Sequence, residues 1–258
     1  MLNIVLPIAG RGSRFKDAGY SLPKPLIPVH GEAMIELVVR NVRPNRPHRF
    51  VFLALREHLE ETALRSTLER AAPGCAIVEV NQVTEGAACT VLLARRVIDG
   101  ADSLMIVNSD QWVDVDINKY LSFMDNDGSE GLIMTMWADH PKWSYVRLGA
   151  DRLATEVVEK QVVSNEATVG IYNFKRGSEF VRAADQMIAA NIRVNNEFYV
   201  APVYNGLIKE GKRISIYNVG RVGAGMHGLG TPSDLDEFLK NPVSRKALAA
   251  VDTARPQH

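Results

Sequence analysis

The sequence carries no excess of either charge: 30 Lys and Arg stand against 30 Asp and Glu. With no net basic field, general attraction to nucleic acid or to an anionic membrane surface is excluded. Any polyanion it binds must be met by local cations. Cysteine is scarce. Cys75 and Cys89 are the two present, and neither sits in a C-x-x-C or other metal spacing. That excludes a disulfide framework and a zinc ribbon, and two buried, inert thiols fit a reducing cytoplasm. Long apolar runs are missing as well, none approaching the ~18 residues that a membrane span needs. The opening Met1-Leu2-Asn3-Ile4-Val5-Leu6-Pro7 has no basic start before its apolar stretch. It is therefore read as a strand, not a leader. There is no low-complexity linker and no internal repeat. The expectation is a soluble, cytoplasmic protein.

What is present is ordinary enzyme composition, 46% hydrophobic and 23% charged over 258 residues. That length buries the core of one α/β domain. Apolar runs at 2–8, 49–55, 75–80 and 103–107 read as buried strands. Amphipathic segments at 32–42, 57–70 and 85–98 read as the helices between them. Such β-α alternation predicts a mostly parallel sheet covered on both faces, with its loops gathered at one edge. From residue 131 the rhythm changes. Short strands at 131–137, 145–148, 155–159 and 168–174 predict an antiparallel extension. Helices follow at 177–190 and 198–210, then strands near 214–217 and 225–229. Thr231-Pro232-Ser233 opens a last helix with Thr231 as N-cap. One domain over 1–240 is expected, a nucleotide-binding half to about 130 and an acceptor half from about 131, with 241–258 a flexible tail.

Chemistry concentrates after the first strand, at Ala9-Gly10-Arg11-Gly12-Ser13-Arg14. Glycines let the backbone approach a ligand and offer N–H groups to phosphate oxygens. Arg11 and Arg14 add fixed positive charge in phosphate-matching geometry. Lys24 follows between Pro23 and Pro25, which stiffen its backbone. No G-K-[ST] follows, so this is not a P-loop; Phe15 replaces the third glycine of a dinucleotide fingerprint.

Gly10-Arg11-Gly12-Ser13-Arg14 with Pro23-Lys24-Pro25 resembles the signature loop of the nucleotidyltransferase superfamily that makes nucleotide-sugars. The likeness extends over nearly all of the chain. It implies a GT-A-like, Rossmann-related α/β fold and an Mg²⁺-dependent transfer from a nucleoside triphosphate to a small phosphorylated acceptor, releasing pyrophosphate. It implies roles too: Arg14 and Lys24 on the reacting phosphates, and Asp110 on the metal. Ala9 to Ser13 with Gln82, Glu85 and Gly86 would bind the nucleotide. Tyr145, Glu159, Lys160, Gly170 and Glu197 would bind the acceptor, with Lys160 on its phosphate and Glu159 on a hydroxyl or amine. Trp143-Ser144-Tyr145-Val146 stands where sugar-specific relatives often show Tyr-Gly. That resembles relatives that load cytidylyl groups onto small phosphorylated acceptors for surface polysaccharides, and a sugar 1-phosphate fits equally. CTP is favoured on this ground. A homodimer stays open.

The resemblance has one break. Many relatives carry a second magnesium-binding aspartate where this sequence has Gly228, within Met226-His227-Gly228-Leu229-Gly230-Thr231. His227 beside it is a poor donor for a hard cation, which leaves waters or another acid such as Asp114. Two other readings follow. Asp114-Val115-Asp116 offers the D-x-D pair of a glycosyltransferase of related fold, and Gly228 would suit a degenerate nucleotide-binding protein. The length argues against an appended β-helix acetyltransferase domain.

Overall fold

A computed structural model describes residues 1–249. Its strands are β1 (Leu2–Pro7), β2 (Pro28–Val29), β3 (Glu32–Ala33), β4 (His48–Leu55), β5 (Ala76–Val80), β6 (Ser103–Val107) and β7 (Gln111–Val113), then β8 (Gly131–Trp137), β9 (Ser144–Leu148), β10 (Ala154–Glu159), β11 (Glu166–Phe174), β12 (Ile214–Val222) and β13 (Gly225–Gly228). Eleven of them form one sheet, in the order β5-β4-β1-β6-β11-β8-β12-β13-β7, with the β9–β10 hairpin joined to β11. β5, β4, β1 and β6 run parallel; β11 is antiparallel to both β6 and β8; β12 is parallel to β8 and β13. The expected mixed, mostly parallel, Rossmann-like sheet with an antiparallel extension is what forms.

Side-chain alternation distributes each central strand between two cores. Ile4, Leu6, Phe50, Phe52, Met105 and Val107 face helices Met34–Asn41, Leu64–Ala71, Ile117–Asp127 and Pro232–Lys240. Val5, Val51, Leu53, Leu104 and Ile106 face Ala87–Leu92, Arg95–Ile98, Gly177–Ala189 and Tyr204–Lys209. Strands buried on both faces read as continuous apolar runs, which is why they are legible from sequence. Because β1 and β6 are parallel neighbours, their C-terminal ends open on one edge. Ile171 of β11 pairs with Val107, bringing Gly170 to the same edge.

Several elements differ from expectation. The 57–70 helix is two, Arg56–Glu61 and Leu64–Ala71, because Thr62 is extended and its Oγ1 accepts from the Leu64 N–H at 3.2 Å. The 85–98 helix starts at Ala87 and stops at Leu92, where Leu93 and Ala94 donate to carbonyls three residues back, tightening the turn. No helix begins at Phe198. Its backbone is engaged by another segment, and α-helix starts at Tyr204 after a 3₁₀ turn containing Pro202. The strand at 214 continues to Val222. Helix Ile117–Asp127, β7 and the small β2–β3 ribbon had not been expected. The expected tail is ordered at its start: Val243–Ala249 is helical, Ser244 and Ala247 are buried, and Ser244 Oγ bonds His30 Nε2 at 2.8 Å. The remainder, 250–258, lies outside the described residues. No helix among those described is long and apolar enough to cross a membrane.

Candidate active site

The loop after β1 is held by its second glycine. Gly12 has φ +61°, and a Cβ there would lie 3.2 Å from Lys24 Cβ, so both backbone and space call for glycine. Its carbonyl accepts from Phe15 and Lys16 N–H, and buried Phe15 packs edge-on to Tyr20, fixing the short helix that carries Arg14. Lys24 opens a 3₁₀ turn behind extended Pro23, with Pro25 buried after it. The lysine stem is thereby aimed across the loop, and its Nζ meets Asp110 Oδ2 at 3.1 Å, just past the end of β6. Gly10, Gly12, Ser13, Arg14, Lys24 and Asp110 line a cavity of about 470 Å³.

A second cavity, of about 660 Å³, abuts the first and shares Arg14, Asn108, Asp110 and Glu197 with it. Its floor is Gly170, whose φ of +82° and carbonyl bond to the Asn108 N–H (2.8 Å) mark a bulge in β11. A Cβ at Gly170 would lie 2.5 Å from Asn108 Nδ2, so the glycine makes room for that amide. On one wall Glu159 is buried and accepts from Ser144 Oγ. Burial pushes its pKa up, against the pull of Ser144 and Lys160. Lys160 Nζ donates to Tyr199 Oη at 2.6 Å and lies 4.8 Å from that ring's centre; the bond raises the lysine pKa. Glu197 arrives on a tight turn whose Asn195 and Asn196 both take left-handed φ, conformations Asn tolerates better than most residues. The second cavity thus offers four carboxylates (Asp110, Glu159, Glu197 and Asp234), the cations of Arg14, Lys142 and Lys160, and the rings of Trp143 and Tyr199.

Not every expected residue reaches the cleft. Tyr145 is fully buried in the core, its hydroxyl donating to the His140 carbonyl at 2.8 Å; its neighbours Trp143 and Ser144 line the cavity instead. Strand alternation explains this, since adjacent residues of β9 face opposite ways. Ala9 is buried behind the loop, while Arg11 and Gln82 are exposed outside both cavities. Glu85 pairs with Arg193 at 3.4 Å. Gly86 serves the chain itself: its Cβ would sit 2.5 Å from Phe198 N and O. That contact lets the Phe198 N–H donate to the Glu85 carbonyl at 2.7 Å and the Phe198 carbonyl accept from the Ala88 N–H at 3.0 Å. Tyr172, of the Gly170-Ile171-Tyr172 segment that resembles the family's acceptor-binding strand, also lines the second cavity, as do Thr168 and Asp234, to which the sequence assigns no role. Asp234 carries no local signal beyond its place after a helix cap.

His227 is buried against Trp112 and Phe238, and burial lowers its pKa: it is a core ring. Asp114 pairs with Lys246 at 2.8 Å, and Asp116 caps helix Ile117–Asp127. Both acids of the D-x-D pair are thus spent on structure. Among the described residues no three His, Cys, Asp or Glu gather as a metal cluster. Asp110, however, presents oxygen beside a cradle: a Cβ at Gly230 would lie 3.4 Å from its Oδ2. A carboxylate oxygen at the junction of the two cavities fits Mg²⁺, which keeps waters and takes few protein ligands.

A family model described as nucleotidyl transferase matches residues 3–193. The chain belongs to the nucleotidyl transferase family. No curated protein matches the sequence. The fold is shared with solved members of this broad group. A nucleoside-diphosphate-sugar pyrophosphorylase from Vibrio cholerae RC9 is 24% identical with TM-score 0.77, covering 93% of this chain and 100% of that one. An inositol-1-phosphate CTP transferase from T. maritima is 13% identical with TM-score 0.74, each chain 98% covered. A UDP-glucose pyrophosphorylase from Acinetobacter baumanii is 17% identical with TM-score 0.70, covering 96% and 98%. This nucleotidyltransferase therefore places its glycine loop, Lys24 and Asp110 on the strand edge that the fold supplies.

Proposed function

We propose that this nucleotidyltransferase condenses CTP with a sugar 1-phosphate or another small phosphorylated acceptor, releasing pyrophosphate, to make precursors of surface polysaccharide. The observation that carries the reading is the Lys24–Asp110 contact of 3.1 Å at the junction of the two cavities. A triphosphate on the glycine loop places its α-phosphorus at that junction, with the acceptor phosphate opposite.

An acceptor phosphate oxygen attacks the α-phosphorus in line and pyrophosphate leaves, so catalysis rests on positioning and on charge stabilisation. Arg14 holds the departing phosphates. In the structure Lys24 and Asp110 neutralise each other; a triphosphate gives Lys24 a second anionic partner at the reacting phosphate. Asp110 would hold Mg²⁺ together with triphosphate oxygens, and the ion would neutralise charge that develops on them. Lys160 meets the acceptor phosphate, while Glu159 and Glu197 take its hydroxyl or amine groups. The acceptor cavity combines carboxylates, ammonium groups and aromatic faces, which suits a small polar molecule.

A thermal-shift screen of CTP, UTP, GTP, ATP and dTTP with Mg²⁺ tests the base. Ligand that binds only the folded state adds about 2.7 kcal/mol at a hundredfold excess over Kd. CTP is expected to give the largest shift, and a larger shift with any other triphosphate replaces it.

A further inference from the structure

Gly228 stands where the resemblance places a second acid, and the Asp234 side chain lies against it. Neither Gly228 nor Gly230 has a left-handed φ, so their backbone accepts any residue; what distinguishes them is space. A Cβ at Gly228 would lie 3.3 Å from Asp234 Cγ, 3.4 Å from its Cβ and 3.6 Å from its Oδ1. The Asp234 carboxylate thus occupies the ground that a side chain from β13 would enter. A Cβ at Gly230 would lie 3.4 Å from Asp110 Oδ2 and 3.6 Å from Asp234 Oδ2. Two carboxylate oxygens from distant parts of the chain therefore flank one cradle.

The supports are rigid. Gly228 pairs with Gln111 across β13 and β7, and Leu229 N–H donates to the Asp110 carbonyl at 2.7 Å. Asp234 sits in the first turn of helix Pro232–Lys240, its N–H bonded to the Thr231 cap at 3.1 Å. Its carboxylate makes no ion pair and no hydrogen bond among the described residues, although Lys24 pairs with Asp110 beside it.

We infer that Asp234 is the second carboxylate of the metal site, delivered from the helix turn because Gly228 leaves room for it. The inference rests on the metal-dependent reading above and names the residue that completes it. Asp110 and Asp234 supply two hard oxygen donors; triphosphate and water supply the rest of an octahedral set. The glycine is then a compensated change that preserves the site. A side chain at position 228 would crowd the present placement of Asp234, which would have to give by a few tenths of an ångström.

Mn²⁺ binding in the presence of CTP, followed by the loss of the free-Mn²⁺ paramagnetic resonance signal, reads the site without turnover. Asp234→Asn keeps the shape and the cap, and is expected to weaken Mn²⁺ binding by about tenfold or more, with an unchanged melting temperature in the absence of metal. Asp110→Asn is expected to weaken it at least as much. Asp234→Ala combined with Gly228→Asp is expected to recover the lost affinity, an outcome that a purely structural role for Asp234 does not produce. Should Asp234→Asn bind Mn²⁺ as the parent does while Asp110→Asn does not, the assignment of Asp234 fails and the metal-dependent reading stands. Should the parent protein bind no Mn²⁺ with any common triphosphate, the metal-dependent reading itself is overturned, and this inference with it.

Discussion

Glu159 shows how burial sets the behaviour of a single side chain. Its carboxyl is 8% exposed, and desolvation raises its pKa, the approach of Glu197 adding to the shift. A raised folded-state pKa means that the native protein holds the proton more tightly than the unfolded chain. The stabilisation is present in full below the ordinary carboxylate pKa and is lost as pH rises through the folded value. Glu159→Gln keeps the shape and the hydrogen bond with Ser144 but cannot ionise. Its melting temperature should match the parent near about pH 4 and exceed it increasingly towards neutrality. A constant difference across that range, or one of opposite sign, contradicts the assignment. Glu159 and Lys160 were readable in the sequence as an E-K pair. That Lys160 would engage Tyr199 was not, since the two meet only when β10 and the 195–199 turn pack together. Tyr145 shows the converse: it is buried in the core while Ser144 beside it lines the second cavity, because one step along a strand turns a side chain to the other face.

At the scale of elements, the turn at 84–88 and the strand-like segment at 197–199 act as one unit. Phe198 gives and takes backbone hydrogen bonds across Gly86, and Glu197 and Tyr199 on either side line the second cavity. Gly86→Ala puts a methyl 2.5 Å from two backbone atoms at a φ of +132°. Strain of this kind costs on the order of 1–3 kcal/mol before any displacement is counted. The variant should melt at least about 5 °C below the parent, given roughly 2–4 °C per kcal/mol in a domain of this size. Gly100→Ala serves as the control, because nothing lies within 4 Å of its Cβ position and its φ is not left-handed. Equal melting of the two variants contradicts the account. The sequence identified Gly86 but for another reason, ligand approach. The neighbour that requires a glycine lies more than a hundred residues away, and no local pattern signals it. The helices over 57–70 and 85–98 failed for a smaller reason, breaks made by one threonine and by one tightened turn.

For the whole molecule, the parallel half was the legible part. Strands buried on both faces advertise themselves, and helices between them force a crossover topology that gathers the loops at one edge. The order Gly10-Gly12, Lys24, Asp110 then becomes a location. What stayed hidden was made by distant chain segments meeting: the β13–β7 pairing that brings Gly228 beside Gln111 and Gly230 against Asp110, and the Val243–Ala249 helix whose Ser244 bonds His30. Across the sheet edge, Lys24 and Asp110 join the glycine loop to the second cavity, and nucleotidyl transfer is proposed to occur at that junction. The most direct measurement is pyrophosphate release from CTP and Mg²⁺ across a panel of small phosphorylated acceptors, in the parent protein and in Lys24→Ala. The parent should release pyrophosphate only when a suitable acceptor is present, and Lys24→Ala, with its fold intact, should be slower by about a hundredfold or more. Acceptor-independent release, or an unchanged rate in Lys24→Ala, would contradict it.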